Sequence, residues 1–243
     1  MTVITFANTK GGAGKTTAAV LLTSELLHRG YRVCVLDADP QRWLARWVEQ
    51  MGGMPGLSVD SYISSATLQR TMTEKRKMFE YVIVDMPGIQ SSLLASAVGF
   101  SNHVIVPIQG SHMDAQGGAH VLDLIRYLDR SAGIRVPHSV VLSRVNPLIT
   151  TRSMQAVKRL LSEQNIHVFD TPIAERSAFR EMFDFNCLLR KLDPARVSNL
   201  DKAVDNASRY ANEVMALVPA SQAVEPARMS LRRENRLDTA AAA

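Results

Sequence analysis

Residues 10–17 of this 243-residue chain read Lys-Gly-Gly-Ala-Gly-Lys-Thr-Thr, two residues after a short apolar run from Val3 to Ala7. No other feature limits the fold so tightly. A strand must end, the backbone must turn tightly through glycines, and a helix must begin at Lys15. Glycines let the chain wrap with its N–H groups facing inward, and the helix N-terminus adds a partial positive charge. That is a cradle for phosphate, built by the backbone of Gly11, Gly12, Ala13, Gly14 and Thr17. In such a cradle Lys15 reaches the β- and γ-phosphates of a nucleotide, and the Thr16 hydroxyl ligates Mg²⁺.

The rest of the chain alternates short β-branched runs with longer helical ones. The spacing predicts helices over 15–29, 42–51, 66–79, 93–99, 115–130 and 151–164. Strands are expected at 3–7, 32–36, 57–59, 81–84, 104–106, 139–145 and 167–169. Strands alternating with helices imply βαβ crossovers, hence an α/β fold with a single-domain, doubly wound, mostly parallel sheet. Hydrophobic residues make up 46% and aromatics only 6%, which suits a Val/Ile/Leu sheet under Ala- and Leu-rich helices. Such sheets place ligands at the carboxyl ends of their strands, where the phosphate loop falls. A three-and-four stripe from Val197 through Leu200, Val204, Ala207, Ala211 and Val214 to Val218 predicts a terminal helix over 196–218. Composition then shifts to Ala, Ser, Pro and Arg. The expected division is a single α/β domain over 1–218 and a disordered tail over 219–243.

Two acidic motifs end strands. Asp37-Ala38-Asp39-Pro40-Gln41 closes the second strand, where the side chains of its two carboxylates can diverge. Tyr81-Val82-Ile83-Val84-Asp85 is an apolar strand ending in a carboxylate suited to holding Mg²⁺, followed by Pro87-Gly88. Late in the chain, Ser143-Arg144-Val145 ends another strand; Arg144 either stacks on a base or pairs with a surface acid. Pro107 either shapes the pocket or ends its strand.

The loop departs from the ordinary G-x-x-x-x-G-K-[ST] pattern, because Thr9 stands at the first glycine, and it carries an additional lysine, Lys10. This form resembles the deviant Walker A of the ParA/MinD group of ATPases, and the resemblance covers residues 1–218. It implies ATP and Mg²⁺ as ligands and slow, partner-stimulated hydrolysis to ADP. It also implies a homodimer closed around ATP, in which Lys10 reaches the partner's nucleotide like an arginine finger. By the same resemblance Asp39 positions the attacking water, and Asp37 and Asp85 attend the metal. The alternative for Asp37 is a structural acceptor for loop backbone.

No helix-turn-helix precedes the first strand, so the chain resembles the short ParA type. Residues 174–182, Ala-Glu-Arg-Ser-Ala-Phe-Arg-Glu-Met, with Arg46-Trp47, resemble VirC-type proteins that assist DNA transfer. The resemblance implies DNA binding without sequence preference through basic residues late in the chain. The candidates are Arg176, Arg180, Arg196 and Lys202, with Arg190 and Lys191 beside them. A formal charge of +5 permits this without demanding it. The implied partner is a small centromere-binding or relaxase-type protein, and the implied location is the cytoplasm, on the nucleoid.

Other classes fit less well. A MinD-like regulator of a protein or membrane-associated complex would want an amphipathic terminal helix, and Met229 and Leu231 are too few for stable membrane insertion. Dethiobiotin-synthetase-like ligases generally lack the lysine at the Lys10 position. A cluster-bearing electron carrier would need paired cysteines, but Cys34 lies in the apolar run Val33 to Leu36 and leaves Cys187 alone. The immediate strand at the N-terminus predicts no signal peptide. No stretch approaches the ~18 uncharged apolar residues of a membrane span.

Overall fold

The computed structural model describes residues 1–109, 112–146 and 151–220. Its elements run β1 (Thr2–Phe6), α1 (Lys15–His28), β2 (Val33–Asp37), α2 (Trp43–Gln50), β3 (Leu57–Ser61), α3 (Ser65–Lys75), β4 (Tyr81–Asp85), α4 (Ser92–Gly99) and β5 (His103–Ile108). They continue with α5 (His112–Ala132), β6 (His138–Val145), α6 (Arg152–Glu163), β7 (His167–Val168), β8 (Ile173–Ala174), α7 (Ser177–Asp184), a 3₁₀ turn (Leu189–Lys191) and α8 (Leu200–Leu217).

The sheet order is β3-β2-β4-β1-β5-β6-β7, with β8 paired to β6, and the described ladders are all parallel. Alternate strand residues face opposite layers. Ile4, Phe6, Val33, Val35, Tyr81 and Ile83 pack beneath α1, α2, α7 and α8. Val3, Cys34, Leu36, Val82 and Val84 pack beneath α3 to α6. Both faces are covered, which is why these strands read as continuous apolar runs rather than alternating ones. The expected doubly wound α/β fold is the one observed.

The C-terminal third departs from the sequence expectation. β8, α7 and the 3₁₀ turn form between residues 173 and 191, where no element was expected. The terminal helix begins at Leu200 rather than at Arg196. Asn199, at φ 53°, is left-handed and breaks the helix there. Val197 is buried from the preceding turn instead. At the other end Tyr81 Oη donates to the Val218 carbonyl at 3.4 Å and Thr2 Oγ1 to that of Pro219 at 3.0 Å. The chain is therefore anchored through 219; the tail expected beyond it lies almost wholly outside the described residues.

Candidate functional site

The phosphate loop leaves the centre of the sheet, with β4 on one side of β1 and β5 on the other. Gly12 and Gly14 have φ of 76° and 93°, a region that side chains rarely adopt, so glycine is required there. Gly14 precedes the first turn of α1, where no side chain caps the helix and no acid sits in the first turn. The leading amides are thus directed at whatever the loop encloses.

Neighbouring strands hold the loop from outside. Asn8 is buried; its Nδ2 donates to the Pro107 carbonyl at 2.7 Å, and its Oδ1 accepts from the Lys10 amide at 2.8 Å. Ser143 Oγ lies 2.7 Å from the Ala13 carbonyl and 3.2 Å from that of Ile108. Gln109 Nε2 donates to the Gly12 carbonyl at 2.6 Å. Sequence reasoning names Ser143 only as the neighbour of Arg144 and does not single out Asn8 or Gln109. Their signal is faint, a lone polar residue at the end of an apolar strand. Pro107 continues β5 in register with Val141, so it does not terminate that strand.

Beneath the loop the charges gather. Thr16 Oγ1 donates to Asp85 Oδ2 at 2.7 Å. Asp85 Oδ1 is buried with no partner among the described residues. Burial and the nearby Asp37 push the Asp85 carboxyl up to about 7, against the Thr16 bond and Lys15, which lower it. A buried oxygen with a free lone pair beside a threonine hydroxyl fits a hard divalent cation completed by phosphate oxygens and water. Among the described residues no group of three or more His, Cys, Asp or Glu is placed to hold a metal ion. Lys15 is almost fully buried, and its Nζ donates to the Lys10 carbonyl at 3.1 Å. Burial lowers its pKa, while Asp85 and Asp39 raise it.

Asp37 and Asp39 diverge. Asp37 is buried, in register with Asp85 on β4. Its two oxygens accept from the amides of Asp39 at 3.1 Å and Ala45 at 2.8 Å. That is loop-acceptor geometry, and it also satisfies one amide in the first turn of α2. Asp39 instead lines an open groove of about 650 Å³ with Gly11 to Thr17, Trp43, Pro87, Gly88, Arg144 and Phe183. A second recess of about 410 Å³ shares Gly14, Thr17, Arg144 and Phe183 with it and is flanked by Arg176 and Arg180.

Arg144 is thus on the groove, exposed, and among the described residues no acid pairs with it. The late basic residues divide. Arg176 and Arg180 line the second recess, with the Arg176 Nε buried and unpartnered and Arg180 paired to Glu175 at 3.3 Å. Arg196 pairs with Asp193 at 3.6 Å, and Lys202 is exposed on the first turn of α8. Arg190 is not a free surface charge, since its guanidinium holds the fully buried Glu25 at 2.8 Å.

A parallel sheet, a glycine loop opening the first helix, and paired Thr16 and Asp85 beneath it define a phosphate-loop nucleotide-binding fold. Residues 1–218 match the family model of the VirC1 protein. Protein ParA of Rhizobium radiobacter is 30% identical over 211 residues, covering 87% of this chain and 95% of its own. Protein virC1 of Rhizobium rhizogenes is 29% identical over 207 residues, 80% of this chain and 88% of its own. Among solved structures, an ATP complex of McdA from Cyanothece superposes with a TM-score of 0.70 at 16% identity, covering 93% of this chain and 99% of that one. The MinC:MinD cell division complex of Aquifex aeolicus gives 0.70 at 17%, with the same coverage. The chain belongs to the VirC1 family, among the ParA/MinD-type ATPases of the short ParA kind.

Proposed function

We propose that this protein is a Mg²⁺-dependent ATPase that dimerises around ATP and binds DNA without sequence preference. In that state it partitions or positions plasmid DNA or a DNA-transfer complex. One observation carries the nucleotide reading: a buried, unpartnered Asp85 oxygen beside the Thr16 hydroxyl, directly under a glycine loop whose lysine is also buried.

Lys15 and the loop amides bind the phosphates. Thr16 and Asp85 hold the metal, which when bound screens phosphate charge and polarises the phosphoryl oxygens. Asp37 supports them by fixing the loop that carries Asp39. Asp39, on the groove wall, orients water towards the terminal phosphate. Lys10 acts on the partner's nucleotide. The relatives' names, ParA and virC1, support the cargo reading. Among the described residues no helix is long and apolar enough to cross a membrane. A cytoplasmic, nucleoid-associated switch with a small centromere-binding or relaxase-type partner follows from this reading.

The test is oligomeric state by size exclusion with light scattering. In an Asp39→Ala background that retains ATP, the protein should be dimeric with ATP and monomeric with ADP. Adding Lys10→Ala should return the ATP form to monomer, and in the parent it should cut turnover on the order of 10³-fold. Turnover independent of both Lys10 and protein concentration would refute the switch. DNA binding should weaken steeply with salt, and further on neutralising Arg196 and Lys202.

A further inference from the structure

We infer that Trp47 is a positioning residue that ties the acidic loop after β2 to α7, so that events at the phosphate end of the groove are felt at its far wall. The inference rests on reading the groove as a nucleotide site.

The path is short and buried. Asp37 holds the Ala45 amide at 2.8 Å, inside the first turn of α2. The loop bearing Asp39 and the start of α2 therefore move together. Two residues further on, Trp47 is 2% exposed, and its indole N–H donates to the Met182 carbonyl at 2.9 Å. That carbonyl, near the end of α7, also accepts from the Cys187 amide at 3.1 Å. The indole packs on Phe183 with ring centroids 5.8 Å apart. Phe183 lines both recesses of the groove, and Arg180 on the same helix lines the second.

A buried indole needs an acceptor, and this one takes it across to another helix rather than within its own. Packing alone would let α2 slide against α7. A directional bond gives the pair one register, so a displacement of the Asp39 loop carries Phe183 with it.

Cys187 offers a native reporter. It is half-buried, whereas Cys34 is fully buried with its thiol pushed up to about 12 by burial, so a thiol reagent reads Cys187. Its modification rate is compared with ADP and with a non-hydrolysable ATP analogue, with nucleotide binding titrated directly in each variant. The parent should show a rate that depends on the nucleotide. Trp47→Phe, which keeps the ring and removes the donor, should bind nucleotide and shrink that dependence roughly fivefold, the worth of one neutral hydrogen bond. Val48→Ala thins the same buried helix face but keeps the indole bond, and it should retain the response.

Three results would overturn the coupling: an undiminished response in Trp47→Phe, an equal loss in Val48→Ala, or nucleotide binding by the parent with no response. Failure of the parent to bind nucleotide would instead sink the nucleotide reading, and the coupling with it. Should Trp47→Phe fail to fold, hydrogen exchange over residues 177–187 of the parent decides. Exchange that differs between the two nucleotides supports the clasp, and identical exchange removes it.

Discussion

Replacing Gly88 by alanine tests whether the segment after Asp85 holds the phosphate loop by direct contact. A Cβ at Gly88 would stand 2.7 Å from the Gly11 nitrogen, 2.9 Å from the Lys10 carbonyl carbon and 3.0 Å from the Gly11 Cα. All three are backbone atoms of the loop, so no side chain can swing aside. Ordinary contact begins at 3.4 Å, so the two segments must part by roughly half an ångström. Overpacking of this kind costs about 1–3 kcal/mol. At roughly 2–4 °C per kcal/mol for a chain of this size, the melting temperature should fall measurably. The loop's displacement should cost more in turnover than in stability, since a misplacement near 1 Å is worth on the order of 100-fold in rate. Phosphate release at saturating Mg-ATP is the assay. Gly99→Ala is the control: nothing lies within 4 Å of its Cβ position, and it ends α4. It should match the parent or melt slightly higher, because alanine favours a helix over glycine. Parental melting and turnover in Gly88→Ala would refute the contact as the device that sets the loop.

Lys15→Ala should abolish ATP binding by calorimetry, because the phosphates lose the buried cation at the start of α1; unchanged affinity would overturn the phosphate-loop assignment. Asp39→Ala should keep ATP but lose turnover; hydrolysis at the parental rate would move the water-positioning role elsewhere. The buried His103, pushed down to about 4 by burial with His138 and His167 adding to it, gives an acid limb to stability. Below its ordinary value of 6.5 the unfolded chain takes a proton that the native one refuses, so stability falls as pH drops from 6.5 towards 4. Urea denaturation should show a loss of about 2 kcal/mol by pH 5, and His103→Gln should flatten that limb; a parent equally stable at both pH values would show His103 titrating freely.

The sheet and the placement of the polar residues on its rim were legible because each rests on a local pattern. Strands buried on both faces are unbroken apolar runs, and Asp37, Asp39 and Asp85 stand where such runs stop. The glycine turn places Lys15 and Thr16 at the start of α1, as expected. What escaped depends on distance along the chain. Asn8 meets Pro107 across 99 residues and Ser143 meets Ala13 across 130, and neither pairing leaves a local trace. The stripe that predicted a helix from Arg196 was misleading, because Val197 keeps the three-residue spacing to Leu200 while reaching the core from a turn. Arg190 was indistinguishable in sequence from its exposed neighbours, and only its packing against α1 shows where its charge goes.

That last contact makes one position harder to replace than either of its partners. Glu25 is fully buried and receives Arg190 at 2.8 Å and Arg29 at 3.5 Å, while Arg29 also reaches Ser208 and Asn212 on α8. Losing either arginine leaves the carboxylate with the other. Losing the carboxylate leaves two guanidinium groups facing each other at the seam where α1, α8 and the 3₁₀ turn meet. Substitutions should therefore be accepted one at a time on the cationic side and refused on the anionic side. A drifting lineage could exchange Arg190 or Arg29 for lysine, yet would keep the glutamate on the helix that begins at the phosphate loop.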